Sequence, residues 1–163
     1  MNISPSQVRD QWFPEKVLRT LRETGFPAHR LEIEVTESAM IGDIQRAKTS
    51  LMSLKNQGVK IALDDFGTGY SSLSLLRELP IDKLKIDRSF VSGMTADREC
   101  ATIVGALVGL GKALGLGVTA EGVEDGETVA ALRAIGCELA QGYLFGHAIE
   151  TPHYGATVLR ASA

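Results

Sequence analysis

The sequence predicts an α/β fold in which parallel strands alternate with helical crossovers. Residues 31–36 and 59–63 are short apolar or alternating runs typical of strands, and stretches with helical spacing separate such runs. Strand and helix alternate about six times, which indicates parallel strands joined by helices. Both a barrel and a doubly wound sheet fit this order. No Gly-x-Gly-x-x-Gly follows the first strand, so a nucleotide-binding sheet is the weaker choice.

Local patterns assign each element in turn. Val17, Leu18 and Leu21 recur at helical spacing, and Gly25 and Pro27 end that helix. Similar patterns bounded by glycine or proline predict helices at residues 14–24, 43–57, 72–79, 96–114, 127–135 and 152–159. Strands are predicted at residues 1–4, 31–36, 59–63, 84–86, 117–120 and 138–140, with a connector at residues 5–12.

The composition is that of one soluble globular domain, which we expect to span residues 1–163. Hydrophobic residues make up 44% of the chain and charged residues 23%, with a net charge of −3. No run of Lys or Arg is present, so a nucleic-acid polymer is not an expected partner. Cys100 and Cys137 are isolated and no secretory segment begins the chain, which favours a cytoplasmic protein. No apolar run reaches the ~18 residues of a membrane span, so we expect no membrane insertion.

Two adjacent carboxylates follow the strand predicted at residues 59–63. Asp64 and Asp65 come where that strand ends, and Phe66-Gly67-Thr68-Gly69 then forms a loop. Inside a strand, neighbouring side chains point to opposite faces, but at a strand end both can reach one site. Two like charges this close repel, and a divalent cation relieves the repulsion. The alternative is a helix N-cap followed by a solvated acid.

Polar side chains occupy the carboxyl end of every predicted strand. In strand order they are Asn2; Glu34 and Glu37; Asp64 and Asp65; Lys85 and Asp87; Glu121 and Glu124; and Gln141. In parallel α/β folds these ends converge on one rim, which is the active face of barrels. A single strand-end acid is commonplace, but caps alone do not explain a ring drawn from six strands. The pattern predicts a shared functional site.

The candidate ligands are carboxylate and amide oxygens. Hard oxygen ligands favour Mg²⁺ or Mn²⁺ over Zn²⁺. Adjacent aspartates with several glutamates suit two ions a few Å apart, an arrangement that clamps both oxygens of a phosphoryl transfer. His29, His147 and His153 lack metal-ligand spacing, so we interpret them as surface or turn residues.

Lys85 has several possible roles among these acids. It could orient or deprotonate an attacking water, or stabilise charge that develops on phosphate. A plain ion pair with Asp64 or Asp87 is the structural alternative. A Schiff-base lyase that uses Lys85 at a barrel strand end is a further alternative from a different chemical class.

Six motifs follow one another along the chain: NIS at 2–4, EVTES at 34–38, DDFGTGYSSL at 64–73, LKIDRSFV at 84–91, AEGVE at 120–124 and QGYLFG at 141–146. Together they resemble the EAL family of bacterial cyclic-di-GMP phosphodiesterases. The resemblance covers nearly the whole chain. It implies a TIM-like barrel, hydrolysis of one phosphodiester of cyclic-di-GMP to linear pGpG, and a site for two Mg²⁺ or Mn²⁺ ions.

The resemblance also implies a role for each matching residue. Asn2, Glu34 and Asp64 resemble ligands of the first ion; Asp64 bridges to the second, which Asp65 and Glu121 also bind. Lys85 matches the lysine that activates water, and Glu37 matches the glutamate that braces the DDFGTG loop. That loop, with Phe66, Gly67, Thr68 and Gly69, is implied to act in substrate binding and dimerisation. Glu124 and Gln141 match outer positions that hold water, metal or neighbouring acids.

Two departures from the family pattern shape the remaining expectations. The Glu-Ala-Leu motif is absent, and the first residues match the family's third strand, so we expect an incomplete barrel that lacks its first two strands, one metal-binding Glu and a substrate-contacting Arg. Open sheet edges then favour a homodimer. The basic-then-Pro pair after GYLFG is His147-Ala148 here. A non-catalytic module that binds cyclic-di-GMP or dimerises is the alternative function.

Overall fold

A parallel sheet organises the chain. The computed structural model describes residues 1–40, 44–67 and 73–147. Its five strands follow the sheet order β1-β2-β3-β4-β5, and Asn2 forms one parallel bridge with Glu34 beside β1. The strands are β1 Glu32–Thr36, β2 Lys60–Phe66, β3 Lys83–Ile86, β4 Gly117–Ala120 and β5 Leu139–Ala140. Strand order equals chain order, without the reversal of a doubly wound sheet, so the sheet is an incomplete TIM-like barrel.

Helices connect the strands, as the alternating pattern predicts. They are α1 Pro5–Arg9, α2 Phe13–Thr24, α3 Ile44–Lys55, α4 Leu73–Glu78, α5 Arg88–Val91, α6 Arg98–Leu114 and α7 Gly126–Ala134. Aspartates cap three of them: Asp87 begins α5, Asp97 begins α6 and Asp125 begins α7, and each accepts a backbone N–H from the first turn. None of the helices described is long and apolar enough to cross a membrane.

The two faces of the sheet differ in polarity. Ile33, Ile61 and Leu84 are fully buried in a core with residues of the helices. The opposite face, which is the interior of a barrel, carries the alternate residues of each strand. Those residues are Glu32, Glu34, Thr36, Lys60, Ala62, Asp64, Lys83, Lys85, Gly117 and Thr119. The apolar face therefore stabilises the fold, and the interior face holds the polar chemistry.

One local prediction was wrong, one was confirmed only in part, and one short helix was missed. The predicted connector at residues 5–12 contains α1, which has a complete capping box between Ser4 and Gln7 and a proline in its first turn. The predicted end of a strand at residues 1–4 is confirmed in part, because Asn2 forms a single parallel bridge with Glu34 before α1 begins at Pro5. The short helix α5 was not predicted.

The strand predicted at residues 59–63 extends through Phe66, so Asp64 and Asp65 lie within β2 rather than beyond its end. The predicted helix at 152–159, the Asp43 cap, and Thr68 and Gly69 fall outside the described residues.

Candidate functional site

Lys85 is the centre of the polar interior face. Its ammonium lies 2.6 Å from Glu34 Oε2, 3.2 Å from Asp64 Oδ1 and 2.5 Å from Glu121 Oε1. The lysine side chain is only 4% exposed, and the three carboxylates are 13–18% exposed. Strands β1, β2 and β3 supply Glu34, Asp64 and Lys85, and Glu121 follows β4 directly. The parallel strands thus bring together residues 34, 64, 85 and 121, which lie far apart in the sequence, at the end of the sheet where active sites of barrels are found.

A β-bulge turns both aspartates of β2 toward the same face. Leu63 pairs with Leu84 and Phe66 pairs with Ile86, so Asp64 and Asp65 together oppose the single residue Lys85. Asp65 takes the left-handed conformation with φ 55°, which aspartate tolerates better than most residues. The prediction of two convergent aspartates therefore holds for a different reason. An inserted residue within the strand, rather than the end of the strand, interrupts the alternation.

Oxygens suited to a hard cation converge beside Lys85. Asp64, Asp65 and Glu121 each offer one carboxylate oxygen, and these oxygens lie within 4.8 Å of one another. Glu34 contacts the same ammonium of Lys85 that Asp64 and Glu121 contact. This donor set contains carboxylates without thiolate or imidazole, which fits Mg²⁺ or Mn²⁺.

The cluster holds more negative than positive charge, and the pKa values reflect this. Burial raises the pKa of Asp65, and the neighbouring charges of Asp64 and Asp87 raise it further. Burial likewise raises the pKa of Glu121, although its hydrogen bond with Lys85 opposes the shift. One ammonium cannot neutralise all these carboxylates, so a divalent cation would relieve their repulsion.

The pKa of Lys85 is raised, despite a burial that alone would lower it. Hydrogen bonds to Glu121 and Glu34, together with the charge of Asp64, outweigh that cost. Lys85 is therefore firmly cationic in the metal-free protein. It cannot act there as a neutral nucleophile, which argues against the Schiff-base alternative.

Gln141 and Glu124 lie at the rim next to Glu121. Gln141 Nε2 donates to Glu121 Oε1 over 2.7 Å, the same oxygen that contacts Lys85, and so helps to fix that carboxylate. Glu124 is half-exposed and lies 3.4 Å from the guanidinium of Arg88. Both line a pocket of about 300 Å³ that also reaches Glu121 and Tyr143. This open pocket is the route by which a ligand could approach the carboxylates.

The remaining predicted residues lie around the cluster. The backbone of Asn2 is bridged to that of Glu34, so Asn2 lies beside the first carboxylate strand. Glu37 is buried in a turn that directly follows β1. Phe66 is buried in the apolar core, and Gly67 has φ 103° next to the ring of Phe90. Phe66 therefore supports the bulge from the apolar side.

Sequence reasoning missed a second polar layer beneath the cluster. Lys83 Nζ lies 2.5 Å from Glu32 Oε2, one layer further from the rim. Ala62 lies between the two layers and is fully buried, and Thr119 has the one buried side-chain oxygen among the described residues without a hydrogen-bond partner. Strand alternation was the available signal, because residues 32 and 34, like residues 83 and 85, share a face.

The fold and the site define a class: a parallel barrel-type α/β domain with carboxylates gathered at the carboxyl ends of its strands. The chain belongs to the EAL domain family, which it matches over residues 1–148. The resemblance seen in the sequence is thereby confirmed.

Three similar proteins illustrate the relationship. Cyclic di-GMP phosphodiesterase NbdA of Pseudomonas aeruginosa is 45% identical over 131 residues, which are 80% of this chain and 17% of that protein. The PaMucR phosphodiesterase, solved in complex with c-di-GMP, has a TM-score of 0.85 and 40% identity over 90% of this chain and 59% of that one. A manganese and cy-diGMP complex of Klebsiella pneumoniae BlrP1 at pH 9.0 has a TM-score of 0.83 and 34% identity, over 90% of this chain and 38% of that one. The chain spans about a fifth of the length of the first curated relatives, 18% in two cases.

Proposed function

We propose that this chain is a cyclic-di-GMP phosphodiesterase domain that hydrolyses cyclic-di-GMP to linear pGpG with two Mg²⁺ or Mn²⁺ ions. The observation that carries the proposal is the convergence of Glu34, Asp64, Asp65 and Glu121 around Lys85. The membership of this chain in the EAL family supports cyclic-di-GMP as the substrate. When bound, the ions would supply Lewis-acid activation of water and of the phosphodiester.

The residues of the chain have distinct tasks in this proposal. Asn2, Glu34 and Asp64 would hold the first ion, and Asp64, Asp65 and Glu121 would hold the second. Lys85 orients or helps deprotonate the attacking water and stabilises negative charge that develops on phosphate. Gln141 holds Glu121 in place through the hydrogen bond described above.

Two further residue groups shape the substrate side of the site. Glu37 braces the loop that contains Phe66, Gly67, Thr68 and Gly69, and this loop contacts substrate. Glu124 lies in the outer pocket next to Arg88, where it can hold water.

The rest of the proposal concerns the molecule as a whole. We propose a single domain over residues 1–163, located in the cytoplasm, that forms a homodimer. Isolated cysteines support the location. Open parallel edges and several exposed apolar side chains support self-association.

A second candidate function is a cyclic-di-GMP-binding module without catalysis. The observation that favours it is the set of ion pairs that Lys85 already makes with Glu34, Asp64 and Glu121, because a bound cation must compete with this ammonium.

Two linked measurements distinguish the two functions. Isothermal titration of cyclic-di-GMP in the presence of Ca²⁺ measures binding, and product analysis with Mg²⁺ or Mn²⁺ measures hydrolysis. The phosphodiesterase predicts binding and the appearance of linear pGpG, abolished by chelation. Binding without product would establish the second candidate, and the absence of both would refute the proposal.

A further inference from the structure

Ala62 occupies the middle of the interior face, directly under the candidate site. In the sheet register it pairs with Glu34 of β1 on one side and with Lys83 of β3 on the other. Parallel partners point to the same face, so the methyl group of Ala62 lies among charged neighbours. It is nevertheless fully buried. Its register partners on both sides are thus charged residues, although it is itself buried.

Two ion pairs cross β2 on either side of this methyl group. The ammonium of Lys85 reaches Glu34 over 2.6 Å, and the ammonium of Lys83 reaches Glu32 over 2.5 Å. Each pair joins β1 to β3, so each must pass over the strand between them. Between these crossings, the interior face of β2 carries the methyl group of Ala62, with Lys60 and Asp64 on either side of it along the strand. A side chain with more atoms would occupy the path that the lysines take.

We propose that Ala62 is a positioning residue, whose small volume lets Lys85 lie across β2 against Glu34. This inference rests on the proposed function, because it concerns the residues that would hold the metal ions. Ala62 acts through Lys85 and contacts no substrate in this account. Nothing in its sequence neighbourhood marks it, since one alanine in an apolar run is typical of any buried strand.

Enlarging Ala62 should move metal affinity and turnover in opposite directions. Lys85 contacts three carboxylates, and two of them, Asp64 and Glu121, also supply convergent oxygens for a cation. The ammonium of Lys85 therefore competes with a bound metal ion for these oxygens. Displacing Lys85 weakens that competition and should tighten Mn²⁺ binding. The same displacement removes Lys85 from the reacting phosphate, where a misplacement of about 1 Å costs on the order of 100-fold.

The test is a Mn²⁺ titration of the whole chain, without substrate, for Ala62→Val, Ala62→Ser and Lys85→Met. We expect Lys85→Met to tighten Mn²⁺ binding by about tenfold or more, Ala62→Val by about threefold, and Ala62→Ser to stay near the native value. Ala62→Val added to Lys85→Met should cause no further change, because the two act through one group. Turnover of cyclic-di-GMP should fall in Ala62→Val.

Ala47→Val is the matched control, since Ala47 is equally buried but lies in α3 on the apolar side of the sheet. It should lower stability by overpacking and leave Mn²⁺ affinity unchanged. If Ala62→Val does not fold, Ala62→Cys replaces it in the comparison, and we again expect Mn²⁺ binding to tighten. Native affinity in a folded Ala62→Val chain, or weakened affinity where Lys85→Met tightens it, would overturn the inference alone. A native chain that does not bind Mn²⁺ would overturn the proposed function as well.

Discussion

In the metal-free protein, the ammonium of Lys85 partly replaces the positive charge that a metal ion would supply. It hydrogen-bonds to or pairs with Glu34, Asp64 and Glu121, which would otherwise repel one another across the interior of the sheet. This arrangement keeps the carboxylates close together before any ion binds. It also leaves excess negative charge, because Asp65 adds a fourth carboxylate within reach. The site is therefore organised for a cation and not yet neutralised.

Asp64 offers the sharpest single substitution. Asp64→Asn removes the charge at the proposed bridging position, so we expect Mn²⁺ binding to weaken by on the order of 100-fold or more and hydrolysis to disappear. Titration calorimetry and product analysis measure the two effects. Asp125→Asn is the control, because Asn also caps helices well and Asp125 caps α7 through Thr128 without belonging to the proposed ligands. Native turnover in Asp64→Asn would refute its proposed role.

Asp65 should reveal a conflict between stability and metal binding. Its pKa is raised by burial and by the charges of Asp64 and Asp87, so the folded state holds this proton more tightly than the unfolded chain does. The carboxylate therefore destabilises the metal-free fold as pH rises above the ordinary range of an aspartate. Asparagine removes the charge and tolerates the left-handed backbone.

Asp65→Asn should thus raise the melting temperature at pH 7 in chelator by up to about 3 °C, with the gain vanishing near pH 3.5. Thermal unfolding followed by circular dichroism over that pH range measures it. Added Mn²⁺ should stabilise the native chain more than the variant. A melting temperature of the variant at or below the native value at pH 7 would contradict the repulsion described here.

Element by element, the sequence predicted the regular parts of the fold and missed the irregular ones. Strands β1, β3 and β4 and the long helix α6 follow from periodicity and from glycine and proline boundaries. The helix α1 could have been predicted from the capping box between Ser4 and Gln7, although its sequence is short and mostly polar. The β-bulge at Asp65 carried none, because a bulge depends on pairing with the neighbouring strand.

The polar residues of the site divide in the same way. The strand-end rule found Glu34, Asp64 and Glu121 because Glu34 and Asp64 lie two residues before the ends of β1 and β2, and Glu121 directly follows β4. It could not find Ala62, whose importance depends on which side chains cross above it. A contact between β1 and β3 depends on how the sheet folds, so no sequence pattern within a single strand predicts it.

The turn after β5 should tolerate no side chain at Gly142. A Cβ there would overlap the backbone of Val123, so Gly142→Ala should lower the free energy of unfolding by about 1–3 kcal/mol and displace the adjacent Gln141. Gly126→Ala is the matched control: a Cβ at Gly126, in the first turn of α7, meets nothing, so this change should be neutral or slightly stabilising. Urea unfolding of both variants measures the difference. Equal stability of both would contradict the close approach.

At the scale of the whole molecule, both lateral edges of the sheet carry exposed apolar surface. A groove of about 550 Å³ lies beside the first edge, lined by apolar residues that include Met1, Phe13 and Phe26. At the other edge Leu139, Tyr143 and Phe145 are half-exposed. Apolar surface next to an open parallel edge is typical of a surface that another chain segment covers.

We therefore expect the chain to self-associate. Light scattering over a range of concentrations should show the mean mass rising from that of one chain towards that of two. Phe26→Ser should reduce the association, whereas Leu114→Ser, an equally exposed apolar residue at the end of α6, should not. A single-chain mass at every concentration would contradict this expectation.

The most direct test of the whole account is to locate the cations. Crystals grown with Mn²⁺ and cyclic-di-GMP should show two anomalous scattering peaks a few Å apart at the manganese absorption edge. One should lie between Asn2, Glu34 and Asp64, and the other between Asp64, Asp65 and Glu121, with the Lys85 ammonium beside them. Peaks elsewhere on the molecule, or no peaks at this cluster, would contradict the central claim.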